Sequence, residues 1–251
     1  MQPESTCWTE VRAAAAGDAA GREAFAKRYS PVVRAYLGAR WRGGALVEEI
    51  DDAHQEVFVE LLKQGGGLER FQEGNGGGFR AFLFAVVRNV ALRFERKRAE
   101  ALARSPDGRL GEDPELAARA SDETPLSRVF DRAWARATLE EAYRLQTNRG
   151  REAGAEALRR VDLLRLRFQE DLPIREIAAH WGVEAAGLHH EYARARREFL
   201  TALQDTVAFH RPEGTRADVE REVAHSSNCS SSDRWDRVWN PAAKSAPGAK
   251  R

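Results

Sequence analysis

Asn89, Arg93 and Arg96 stand four and three residues apart, the spacing that places side chains on one face of an α-helix. An amide and two guanidiniums on one face suit a base edge and the phosphates beside it. Arg88 and Lys97 add cations to the same stretch. A solvated basic stripe on an ordinary helix would look the same. Near the other end, His189 and His190 are followed by Arg194, Arg196 and Arg197. Asp51, Asp52, His54 and Glu56 make an acidic cluster that reads as charged surface rather than a catalytic site.

Enzymatic chemistry finds no support. The glycine triplets lack the Gly-x-Gly-x-x-Gly context and a following Lys-Ser/Thr, and no Gly-x-Ser-x-Gly elbow occurs. His180, His189, His190 and Glu191 lack His-Glu-x-x-His spacing, and Cys7 and Cys229 form no Cys-x-x-Cys. We therefore expect no catalytic residue, no metal and no cofactor. The longest apolar run, Ala81 to Val87, is too short to span a bilayer. No signal peptide is visible, so the expected location is the cytoplasm.

The elements that carry these residues are helical. Among 251 residues there are 42 Ala and three Ile, and Ala, Glu, Arg and Leu dominate. No stretch alternates with period two, so the expected fold class is all-α. Two helices are expected over 8–42, with Asp18 as a cap for the second. A third spans 45–64, with Leu46, Ile50, Ala53, Val57 and Leu61 as its buried stripe. A glycine-rich loop follows, then a long helix from about Phe79 to Arg104, with Phe79, Leu83, Val86, Val90 and Phe94 on its core face. Residues 105–126, rich in Pro, Gly and acids, read as a flexible linker. A second helical domain covers 127–209, with a break at Asn148-Arg149-Gly150 and helices over Leu158–Gln169, Ile174–Trp181 and Ala185–Leu203. The tail, 210–251, reads as mostly disordered.

The net charge of +1 hides a segregation. Residues 43–64 carry six acids against Lys63, a net of −5, and residues 79–104 carry seven bases against Glu95 and Glu100, a net of +5. In the second domain, Pro173 to Val183 resembles the first helix and turn of a helix-turn-helix. Ala178 allows a close crossing, Gly182 accepts positive φ, and Val183, Leu188 and Tyr192 can pack the next helix. A plain αα-hairpin would share these features.

Taken in this order, the segments resemble the extracytoplasmic-function (ECF) type of bacterial sigma factor in the sigma-70 family. Asp52-Ala53-His54-Gln55-Glu56-Val57-Phe58 is similar to the family's Asp-x-x-Gln-Glu-Val-Phe. Phe79-Arg80-Ala81-Phe82-Leu83 through Arg88-Asn89-Val90-Ala91 is similar to Phe-Arg-x-Trp-Leu-x-x-x-x-Arg-Asn-x-Ala, with Phe82 where many members have Trp. The helix-turn-helix and its Arg-x-Arg-Arg ending complete the likeness over residues 8–209.

The resemblance implies that residues 8–104 are a region 2 domain and 127–209 a region 4 domain. It implies docking of the acidic helix on the β′ clamp helices of core RNA polymerase. Glu48, Asp52, Gln55 and Val59 can share one outward face for this, with Glu56 beside them. It assigns the −10 element to Phe71, Arg88, Asn89, Arg93, Arg96 and Lys97, with melting of the duplex there, and Phe71 could equally anchor its loop on the core. It assigns the −35 element to His189, His190, Arg194, Arg196 and Arg197, although Glu191 among them would repel phosphate. Promoter DNA and an anti-sigma factor are the further partners implied. Two other classes stay open: a stand-alone helix-turn-helix regulator binding duplex DNA without polymerase, and a helical adaptor that does not bind DNA.

Overall fold

The computed structural model describes residues 14–71, 78–104, 123–210 and 215–229. Among them are helices and no strand, as the composition requires. The helices are α1 Ala19–Arg40, α2 Ile50–Leu62 (preceded by a 3₁₀ segment, Ala45–Glu49), α3 Gly67–Arg70 and α4 Gly78–Ala103. They continue with α5 Glu123–Ala153, α6 Ala155–Phe168, α7 Ile174–Trp181, α8 Ala185–His210 and α9 Arg216–Cys229.

The chain packs as two units, residues 1–137 with 209–213, and 138–208 with 214–251. In the first, Asp18 caps α1 as expected: its carboxylate accepts from Gly21 N at 2.6 Å. Phe25, Tyr29, Val32, Val33, Tyr36 and Leu37 form the buried side of α1. They meet Ala53, Val57, Phe58 and Leu61 of α2 and Phe79, Leu83, Val87, Val90 and Ala91 of α4. Each of these large side chains contributes about 1.5–3 kcal/mol by leaving water. The core row of α4 is rotated from the expected one: Val87 and Ala91 are buried, whereas Val86 and Phe94 are only partly so.

Glu95 extends that buried row by one more turn. Its carboxylate accepts from Arg40 Nε at 2.6 Å, Arg40 Nη2 at 2.9 Å and Trp41 Nε1 at 2.9 Å. Arg40 also donates to Tyr36 Oη at 3.1 Å. Burial opposes the Arg40 charge, but the hydrogen bonds and charge attraction outweigh it and push the guanidinium above its ordinary value. The group ties the C-terminal end of α1 to α4.

Leu126, Phe130 and Trp134 of α5 belong to this first core, so the packing division falls inside α5, between Ala137 and Thr138, rather than before residue 127. The expected linker lies outside the described residues over 105–122. Its last residues, 123–126, are helical. α5 also runs through Asn148-Arg149-Gly150. The break comes at Gly154, whose φ of 104° ends the helix.

In the second unit, Leu139 and Ala142 of α5 pack with Leu164 and Phe168 of α6, Ala195, Phe199, Leu203 and Val207 of α8, and Val223 of α9. A smaller cluster joins Leu163, Ile174, Ile177, Ala178 and Leu188. α7 stops at Gly182, with φ 64°. Val183 N bonds Ala178 O at 3.0 Å and Gly182 N bonds Ala179 O at 3.3 Å, the pair of bonds that closes a helix end around a left-handed glycine. The expectation of a disordered tail does not hold for 216–229: α9 forms because Val219 and Val223 have an apolar face to cover. The rest of the tail, 230–251, and residues 1–13 lie outside the described residues.

Candidate nucleic-acid interface

The outward side of α2 and the 3₁₀ segment carries Glu48, Asp52, Gln55 and Val59, all exposed. Val47 and Val59 are 44% and 46% exposed, so the acidic surface contains two uncovered apolar side chains. Among the described residues, Glu48 and Asp52 have no ion-pair partner. Two neighbouring acids are engaged: Asp51 pairs with Arg34 at 2.7 Å, and Glu60 with Lys63 at 2.9 Å. Hydrogen bonds from Lys63 and then Arg93 hold the Glu60 carboxyl below its usual range. Glu56 turns away from the outward face toward Arg93. His54 meets Ser30 Oγ at 2.8 Å, and burial, then the Arg34 charge, lower its pKa.

Arg93 of α4 is held between two carboxylates, Glu56 at 3.0 Å and Glu60 at 3.1 Å. Its charge therefore fastens α2 to α4 before it can serve any phosphate. Arg80 pairs with Asp131 at 2.5 Å and Arg104 with Glu100 at 3.1 Å. Lys97 is exposed, Arg88 is half-buried, and Arg96 donates to Leu92 O at 3.2 Å within its own helix.

Asn89 and Arg93 line one groove of about 430 Å³, together with Glu60, Gly67, Arg70, Phe82, Val86 and Val90. Its size falls in the range of small-molecule pockets. Phe71 is not in its lining: the ring is half-buried against Phe82, centroids 4.9 Å apart, and edge-on to Phe79 at 5.6 Å. That is the geometry of a loop anchor, which supports Phe82 as a groove wall. The loop comes close because it holds glycines: a Cβ on Gly66 would stand 2.4 Å from Lys63 O, and one on Gly67 3.0 Å from the Phe82 ring. Arg96 and Lys97 lie farther along α4 and are not among the groove residues. Glu60 and Arg70 were not expected at this site. Their signal was weak, one being an acid in a basic context and the other a loop residue.

In the second unit, His189 and His190 are exposed near the start of α8. Glu191 is directed to Arg160, which is 5% exposed and also binds Glu198 at 2.9 Å. The Glu198 hydrogen bond raises the Arg160 pKa above its ordinary value. Arg194 pairs with Glu198 at 3.2 Å, Arg196 is half-buried and stands 5.8 Å from the Tyr192 ring, and Arg197 is exposed. The five expected residues thus occupy one helix but not one face: His190, Arg194 and Arg197, at steps of four and three, share an exposed face, whereas Arg196 is half-buried beside Tyr192.

No described helix is long and apolar enough to cross a membrane. Residues 25–101 match the family of Sigma-70 region 2. Searches of curated proteins and of solved structures return no match. The matched segment holds α2, the glycine-rich loop and almost all of α4, the elements that carry the acidic face, the groove and the basic helix. The match covers less than half of the chain and is a likeness of this segment to Sigma-70 region 2.

Proposed function

We propose that the chain is a sigma factor of the ECF type, which binds core RNA polymerase, directs it to a class of promoters and assists melting of the −10 element. The observation that carries this is the coincidence, inside the segment matching Sigma-70 region 2, of an unpaired acidic face with two exposed valines and a groove lined by Asn89 and an aromatic wall. The face of Glu48, Asp52, Gln55 and Val59 meets the β′ clamp helices, where its acids complement a basic groove and the valines give the contact an apolar centre. A stand-alone regulator needs no such face. Glu56 serves by holding Arg93 rather than by touching polymerase.

Melting requires a base to leave the stack, at a cost of a few kcal/mol. The groove beside Phe82 offsets it: an aromatic wall supplies about 1–3 kcal/mol per stacked base, and Asn89 gives an amide to the base edge. Arg88, Arg96 and Lys97 track the phosphates. In the second unit, α7, the Gly182 turn and α8 act as a helix-turn-helix, with His189, His190 and Arg197 toward the −35 element. Because Glu191 is bound to Arg160, its charge is partly withdrawn from that surface. Work of this kind places the protein in the cytoplasm, with an anti-sigma factor as its regulator.

The test is co-purification with core polymerase. The wild-type chain is retained, and Asp52→Lys with Gln55→Ala weakens retention at least tenfold while the helical circular dichroism spectrum is unchanged. Equal retention of the variant would refute the docking face.

A further inference from the structure

The second unit holds a groove of about 310 Å³ where α5, α6 and α8 converge. Its residues fall on one row of each helix: Gln146, Arg149, Gly150 and Ala153 of α5, Ala157, Arg160 and Val161 of α6, and Arg194, Glu198 and Thr201 of α8. The space exists because Gly150, Ala153 and Ala157 are small. A Cβ on Gly150 would already touch Val161 Cγ2 at 3.4 Å.

Gln146 is 3% exposed, and its side chain is only half satisfied. Nε2 donates to Ala195 O at 3.1 Å, while Oε1 is buried with no hydrogen-bond partner. A buried carbonyl oxygen without a donor is uncommon and destabilising, and it marks a place where a donor belongs. The Nε2 bond fixes the amide orientation, so Oε1 is the end left for another group.

The half-exposed Arg149 and Arg194 supply the second element of recognition. Arg149 binds Asp205 through Nη2 at 2.7 Å, and Arg194 binds Glu198 through Nε at 3.2 Å. Each pairing leaves most of that guanidinium's N–H donors uncommitted. Arg160 differs: Nε, Nη1 and Nη2 are all turned to Glu191 and Glu198. We infer that this groove binds a small organic anion carrying an N–H or O–H group, the donor meeting Gln146 Oε1 and the anionic end meeting Arg149 and Arg194. The rest of the ligand presents an apolar body to Gly150, Ala157 and Val161. The site goes beyond the reading as a sigma factor and stands whether or not the second unit reads DNA.

N-benzoylglycine and its ester analogue, benzoyloxyacetate, test this on the full chain, because they differ only in N–H against O. Titration followed by ligand-observed NMR gives saturable binding of the amide, about tenfold tighter than the ester. Gln146→Leu erases that preference, leaving both compounds at the affinity of the ester. Ala153→Trp, at an exposed position on the lining, abolishes binding of both with the circular dichroism spectrum unchanged, and remains informative if Gln146→Leu does not fold. Three results would overturn the proposal: no saturable binding of either compound, equal binding of both by the wild-type chain, or a preference that persists in Gln146→Leu.

Discussion

Arg93 and Glu95 are two residues apart on α4 and have opposite fates. Arg93, half exposed, makes two ion pairs; such pairs contribute about 0.2–1 kcal/mol each, so Arg93→Ala lowers stability by at most about 1–2 kcal/mol in urea unfolding. Glu95 is buried, and its removal leaves the Arg40 guanidinium without a counter-charge. Glu95→Ala should cost about 3–5 kcal/mol, and Arg40→Met with Glu95→Leu should recover much of it. A Glu95→Ala cost below about 1 kcal/mol would show that the buried group is not what ties α1 to α4. Asn89→Ala, by contrast, removes a groove amide that bears no ion pair, and should impair open-complex formation while core binding is kept. His54 gives a pH prediction. Its folded pKa lies below the unfolded one, so the folded state resists protonation and stability falls as pH drops through the ordinary histidine range. His54→Gln should flatten the dependence between pH 5 and 7, a range set by the unfolded value of about 6.5. An unchanged slope would contradict this.

The residue-level chemistry was only partly legible in the sequence. Asp18 as a cap and Gly182 as a left-handed turn follow from residue type alone. Glu95 looked like one acid among solvent-facing bases, yet Phe79, Leu83, Val87, Ala91 and Glu95 recur in steps of four, and that row is the buried one. Its partner Arg40 lies 55 residues away, and nothing local in sequence names it. The Arg93 pairs were hidden for the same reason: charge counts by segment cannot show that two segments neutralise each other across a helix contact.

At the scale of elements, helix type and extent were mostly readable because apolar periodicity is long-lived in α1, α2, α4 and α8. Ends were less so. The sequence Asn148-Arg149-Gly150 suggests a stop, but Gly150 sits where α5 and α6 approach closely, and packing overrides its low helix propensity. α9 was missed because its apolar stripe is two valines long. A fourteen-residue helix is marginal alone, and Val223 at 2% exposure is what the second core adds to it. Val223→Asp should therefore release α9 and destabilise the second unit by about 2–4 kcal/mol. Its readouts are unfolding and faster amide exchange across 216–229. Exchange no faster than in the wild type would show that α9 is held by other means.

For the whole molecule, the net charge of +1 does not describe the surface that partners meet. Glu56 and Glu60 cancel Arg93, Asp131 cancels Arg80, and Glu95 cancels Arg40. Among the described residues of the first unit, an acidic face with two valines is exposed on α2 and the 3₁₀ segment before it, and a shorter basic run, including Lys97, on α4. In the proposed function the first meets a protein and the second a nucleic acid, and the salt dependence of each complex should then differ in slope.

The most direct measurement is reconstituted transcription with purified core polymerase, on genomic fragments, with and without the full chain. Transcripts with fixed start sites are expected only when the chain is present, and are expected to be lost with Asp52→Lys and Gln55→Ala. Absence of any chain-dependent transcript, together with no binding of the chain to core polymerase, would contradict this.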